Sequence, residues 1–169
     1  MKNIIVTGAT SMLGISLIEE ALKAGEIQRI YAVIRPDTER TDRLPQDARI
    51  VRVPCRAEEY SELPALIPEK CQVFYHMAWA VTGAKRNEDY LAQVRNIEYT
   101  LNALDAACGL GCGKFIGCGS QAEYGRTAAS KMGPDLPVWP VQTYGIAKYA
   151  AGRMVLQKVK KLGITGIWV

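Results

Sequence analysis

At 169 residues, with 49% hydrophobic and 22% charged residues, the chain has the make-up of a single soluble globular domain, which excludes disordered and fibrous classes. The net charge is +4 and the 21 Lys and Arg are scattered, so no nucleic-acid footprint is present. No apolar run approaches the ~18 residues of a membrane span, and Met-Lys-Asn leads straight into a strand without room for a signal peptide; a cytoplasmic protein with no membrane partner is expected. Five cysteines, Cys55, Cys71, Cys108, Cys112 and Cys118, suit reduced thiols inside a cell. The spacing of the last three fits no common zinc knuckle, so no metal site is expected.

Ile4, Ile5 and Val6 form a short apolar run of the kind that a strand buried on both faces requires, and it breaks at Thr7-Gly8. Helical spacing then runs from Met12 to Ala24 through Leu13, Leu17, Ile18, Ala21 and Leu22, with Gly25 as the stop. In this strand–turn–helix unit, Gly8 lets a phosphate approach the main chain and Gly14 lets the helix pack on the strand. The free N–H groups at the helix start, around Ser11, Met12 and Leu13, offer a site for a pyrophosphate.

A second strand, Arg29 to Ile34, ends at Arg35, 21 residues after Gly14, where a dinucleotide fold usually places the residue that inspects the adenosine ribose. The forked cation of Arg35 suits the extra phosphate of NADP, while Asp37, two residues on, keeps NAD open. Pro36 to Asp47 reads as an exposed connection. Ile50 to Val53 is a third strand, Glu58 to Ile67 a short helix ended by Pro68, and Gln72 to His76 a fourth strand. The periodicity predicts a long helix from Asn87 to Gly109, with Tyr90, Leu91, Val94, Ile97, Leu101, Leu104 and Ala107 on one apolar side. Lys114 to Cys118 follows as the fifth strand, then a helix completed by Gly152 to Leu162, and Thr165 to Val169 as the sixth strand.

Tyr144 and Lys148 are four apart, which on a helix puts both side chains on one face. Ser120 lies just past the carboxyl end of the fifth strand, where open α/β sheets bind ligands. Oxidising an alcohol needs a base for the hydroxyl proton while hydride leaves for a nicotinamide, and the reverse needs an acid. A tyrosine serves both ends if a neighbouring ammonium favours its phenolate. A serine hydroxyl can steady the charge developing on the substrate oxygen.

The turn TGATSMLG, the segment HMAWA, the helix NIEYTLNAL and the pair GSQAEYG and YGIAK together resemble the extended short-chain dehydrogenase/reductase family, the NAD-dependent epimerase/dehydratase group. The resemblance covers all 169 residues and departs in places: Ser11 stands where the family has its middle glycine, Cys55-Arg56 where an acid and an apolar residue touch adenine, and Trp79 where a small residue lines the groove. It implies a doubly wound (Rossmann) parallel sheet of order 3-2-1-4-5-6, cut off before a smaller C-terminal substrate domain, which leaves the cleft open and turnover slow or absent. It further implies a catalytic triad of Ser120, Tyr144 and Lys148, with Lys148 also holding the nicotinamide ribose. Main chain at Ala78 and Trp79 would line the cofactor groove, and Asn96 would brace the active-site strands. By the same resemblance His76, the one histidine, is structural, and a homodimer forms through the helix from Asn87 and the helix bearing Tyr144.

Family dehydratases carry an Asp-Glu pair where this chain has Gln121 and Ala122, and Glu123 is one position late, directed elsewhere by alternation along the chain. Epimerisation or reduction of a nucleotide-sugar-like or other small carbonyl substrate, with NAD or NADP, is therefore expected. The rival is a noncatalytic dinucleotide-binding module.

Overall fold

A computed structural model describes residues 2–169. Six parallel strands, β1 (Lys2–Thr7), β2 (Ile27–Ile34), β3 (Ile50–Pro54), β4 (Val73–His76), β5 (Lys114–Gly117) and β6 (Thr165–Trp168), form one sheet in the order β3-β2-β1-β4-β5-β6, the expected doubly wound arrangement. Helices α1 (Met12–Lys23), α2 (Leu63–Leu66), α3 (Tyr90–Gly109) and α4 (Thr143–Leu162) lie in the crossovers, except that from β2 to β3, which holds only a 3₁₀ turn, Thr41–Arg43.

Alternation along β1 divides the core. Ile4 and Val6 point to the face covered by α1, where they meet Ile18, Ile30 and Ala32. Ile5 points to the other face and joins Val33, Phe74, Leu104, Phe115 and Val155. Both faces are covered, so the strand reads as unbroken apolar sequence. The chain passes from β3 at one edge to β4 beside β1, so the strand order reverses between β1 and β4, and the loops at their carboxyl ends diverge there.

Beyond one-residue shifts at the ends of other elements, three differ from the sequence reading. β2 starts at Ile27, two residues early, because pairing with Lys2 extends it. The helix expected over Glu58–Ile67 is a 3₁₀ turn, Ala57–Glu62, followed by the single-turn α2. In α3, Tyr90, Leu91 and Val94 face solvent, while the buried side carries Gln93, Asn96, Thr100, Ala103, Leu104 and Ala107. The large apolar residues were the misleading signal: the half of α3 nearest the site packs through polar groups that find partners across it.

Candidate active site

The turn after β1 is shaped by close approach. Gly8 has φ +66°, and a Cβ there would lie 2.8 Å from the Ala78 nitrogen. A Cβ on Gly14 would run into the Gly8 carbonyl oxygen. Both positions therefore need glycine, for the turn itself and for the packing of α1 on it. Ser11 is the N-cap of α1, and its hydroxyl accepts from the Gly14 N–H at 3.1 Å. The hydroxyl oxygen thus satisfies one of the helix's unpaired donors, and its own proton stays free to donate. Met12 and Leu13 project their side chains into solvent.

A cleft of about 470 Å³ opens over this turn, lined by Gly8, Ser11, Arg35, Ala78, Trp79 and Asn96, all singled out from sequence. Thr38, Arg40 and Cys55 line its far end and Val81 and Tyr99 its near end. The absence of side chain at Gly8, the two arginines at one end and the small Ala78 and Ala80 at the other fit an elongated anionic dinucleotide. Asp37 does not line the cleft and pairs at 3.4 Å with Arg56.

The floor of the site is a buried polar network. His76 Nδ1 meets the Thr7 hydroxyl at 2.9 Å, and Nε2 meets the Thr100 hydroxyl at 3.1 Å. The Thr100 hydroxyl donates to the Asn96 carbonyl, so it must accept from Nε2–H, leaving Nδ1 as the acceptor. Burial, aided by the charge of Lys148, pulls His76 down to about 3, so it stays neutral. Both ring nitrogens are taken, in agreement with the structural role expected for it. Asn96 grips the main chain of Ala80 from both sides, accepting from its N–H at 2.8 Å and donating to its carbonyl at 2.9 Å. Next to it Val81 has φ +54°, a conformation rare for a β-branched residue.

Ser120, Tyr144 and Lys148 gather beyond the carboxyl end of β5. Ser120 caps the 3₁₀ turn Gln121–Tyr124, its hydroxyl accepting from Ala122 N–H at 3.2 Å. Tyr144 opens α4, its N–H donating to the Asn87 side chain at 3.2 Å and its ring sharing an edge contact with Trp79. Lys148, only 4% exposed, donates to the Cys118 carbonyl at 2.6 Å and lies 3.9 Å from the centre of the Trp79 ring. Burial lowers it to about 8, against the opposing influence of Cys118 and Glu123. Among the described residues no hydrogen bond joins the three side chains to one another.

Glu123 corrects the sequence reading. It is buried and turned back into the site, where Oε1 accepts from the Ser120 N–H at 2.8 Å and from Trp168 Nε1–H at 3.1 Å. A second cleft, about 650 Å³, carries Ser120, Glu123, Tyr149 and Arg153 on its walls. The sequence reading also missed Gln93, Thr100 and Arg40. The recurrence of polar Gln93, Asn96 and Thr100 every three to four residues was the signal for the first two.

Among the described residues no helix is long and apolar enough to cross a membrane, no group of three or more His, Cys, Asp or Glu could hold a metal, and the five cysteines are free thiols.

Solved structures share this architecture. The UDP-Glc/GlcNAc 4-epimerase of Campylobacter jejuni superposes with a TM-score of 0.87 at 17% identity, over 99% of this chain and 52% of that one. The Bordetella bronchiseptica enzyme WbmG, in complex with NAD, gives 0.78 at 24% identity over 92% and 49%. The UDP-glucuronic acid 4-epimerase of Bacillus cereus, also with NAD, gives 0.79 at 22% over 98% and 55%. The chain thus spans about half the length of the solved structures it matches. No curated protein matches it. A sequence profile described as the NAD dependent epimerase/dehydratase family matches residues 4–169, and with the glycine turn, the strand order and the cleft over them, the chain belongs to that family.

Proposed function

We propose that this chain is the cofactor-binding portion of an NAD(P)-dependent epimerase or keto-reductase acting on a nucleotide sugar, with the substrate domain contributed by residues outside 1–169. The observation that carries this reading is the buried Lys148 one helical turn after Tyr144, bound to the Cys118 carbonyl two residues before Ser120 and in contact with Trp79, which lines the cleft over the glycine turn. The similarity to the UDP-sugar 4-epimerases of Campylobacter jejuni and Bacillus cereus, the latter holding NAD, and to WbmG, also in complex with NAD, supports it.

A bound nicotinamide would accept and return hydride. The remaining work falls to side chains. Tyr144 takes the proton from the substrate hydroxyl and returns it. Ser120 donates to the substrate oxygen, its main chain held by Glu123. Gln121 and Ala122 can move no proton, which disfavours dehydration. Arg35 and Arg40, at the end of the cleft where an adenosine would sit, favour NADP through a forked contact to its extra phosphate. The exposed apolar residues Tyr90, Leu91 and Val94 of α3, with Ile146 and Met154 of α4, suit a homodimer, and the free thiols suit a cytoplasmic setting.

The test is a titration with NADH and with NADPH, beside Arg35→Asp. NADPH binding that weakens about tenfold or more in the variant supports the reading; no binding of either nucleotide overturns it. One observation favours a second reading, a binding module without turnover: the Lys148 ammonium is committed to Cys118 and Trp79. Such a module would bind nucleotide yet show no hydride exchange with any UDP-sugar when joined to its full-length protein.

A further inference from the structure

Trp79 stands where a small residue would leave the groove open, and its indole touches three things at once. Its face lies under the Lys148 ammonium, 3.9 Å from ring centre to Nζ. Its plane meets the Tyr144 ring edge-on, with centroids 6.1 Å apart. Trp79 lines the cleft, whereas Tyr144 and Lys148 do not, and its indole is in contact with both of them.

The indole is itself fixed. Nε1–H donates to Gln93 Oε1 at 2.8 Å, and Gln93, fully buried, donates in turn to the Val81 carbonyl at 3.1 Å. Gln93 thereby ties the indole to the backbone segment that Asn96 grips at Ala80. On the far side of the ammonium lies Trp168, 5.7 Å from Nζ, whose Nε1–H is held by Glu123. An ammonium has three protons to place, and one goes to the Cys118 carbonyl. A π face supplies the electron density that a second carbonyl or water would otherwise supply, and does so in a desolvated site where such an attraction is strongest.

We propose that Trp79, held by Gln93, is the positioning residue for the Lys148 ammonium and sets its place relative to Tyr144 and the cleft. This rests on the reading of Lys148 as a site residue given above. It assigns Trp79 a task that no residue with a small side chain could perform: without the indole, Lys148 has only the Cys118 carbonyl and the more distant Trp168 to fix it.

The test reads the lysine directly. In ¹⁵N-lysine-labelled protein at mildly acid pH, the side-chain ammonium signal that disappears in Lys148→Met is expected well upfield of the others, from the ring current of the indole. Trp79→Leu removes the upfield shift, and Trp79→Phe, which keeps an aromatic face and most of the volume, retains part of it. Gln93→Met, which removes the indole's acceptor, moves the signal in the same direction as Trp79→Leu. A Lys148 signal unmoved in Trp79→Leu overturns the proposal, and one unmoved in Gln93→Met overturns the part assigned to Gln93.

Dinucleotide affinity adds a functional arm. Trp79→Leu is expected to weaken NADPH binding about tenfold, and Trp79→Phe to stay within about threefold of the parent chain. Equal affinity in all three overturns the positioning role. If the parent chain binds no dinucleotide, the proposed function falls, and the ammonium shift alone decides whether Trp79 places Lys148.

Discussion

The Lys148 ammonium donates to the main-chain carbonyl of Cys118 at 2.6 Å, joining α4 to the end of β5 through a side chain that is almost wholly buried. A lysine in that position is costly to the fold. Burial lowers it to about 8, so above that pH the folded chain gives up a proton that the unfolded chain keeps until about 10.5. The unfolded state then binds more protons, and stability rises with pH across that window. Below pH 8 the penalty is present in full, about 3 kcal/mol. Lys148→Met is therefore expected to stabilise the chain at pH 7, and the difference from the parent chain is expected to shrink as pH rises towards 10.5. Urea unfolding of both proteins at several pH values measures this; a difference independent of pH would contradict it.

His76 behaves in the same sense at acid pH. It is held neutral down to about 3, whereas an unfolded histidine takes up its proton near 6.5. Between these values the unfolded state binds more protons, so stability falls as pH drops, with a slope of up to about 1.4 kcal/mol per pH unit from this group. The neutral variant His76→Gln, compared with the parent chain by thermal unfolding from pH 7 to pH 4, is expected to lose stability less steeply, although its starting stability is lower because Thr7 and Thr100 lose a well-placed partner.

Ser11 gives a prediction that separates two small substitutions by the size of their effect. As the N-cap of α1 it accepts from the Gly14 N–H. Ser11→Ala is expected to cost about 1 kcal/mol, and Ser11→Gly, which restores the glycine of the motif it resembles, only a few tenths. Denaturant midpoints of the two variants rank them. If the hydroxyl were instead needed for a phosphate, both would lose dinucleotide affinity alike, with nucleotide titration as the readout.

Asn96 holds both the N–H and the carbonyl of Ala80, beside the left-handed Val81. Asn96→Ala removes the side-chain partner of both main-chain groups of the exposed Ala80 and the brace on a neighbouring conformation that itself costs about 1–3 kcal/mol. An overall loss of about 1–3 kcal/mol is expected in urea unfolding. Relaxation of this loop would show as faster amide exchange at Ala80 and Val81 than in the parent chain.

Much of this was legible in the linear chain. Ile4, Ile5 and Val6 had to be a doubly covered strand because no polar face interrupts them, and Gly8 and Gly14 marked the turn because close main-chain approach leaves no room for a Cβ. Tyr144 and Lys148 could be placed on one helix face from spacing alone. The buried side of α3 could not, because periodicity weighs apolar size, and here small and polar residues are buried while Leu91 and Val94 are left outside. Polar burial is stable only where partners exist, and the partners of Gln93, Asn96 and Thr100 come from segments 12 to 24 residues away.

By itself, then, the sequence determined the strand and helix order, the glycine turn and the residue types available for proton transfer, since these rest on local periodicity and on backbone angles. Tertiary structure alone decided how those residues are held. It brought the Trp168 indole onto Glu123, tied the Trp79 indole to Gln93 and set the Lys148 ammonium between a carbonyl and an indole. Each of those outcomes depends on which distant group arrives within hydrogen-bonding distance when the sheet closes, and nothing in the spacing of nearby residues encodes that.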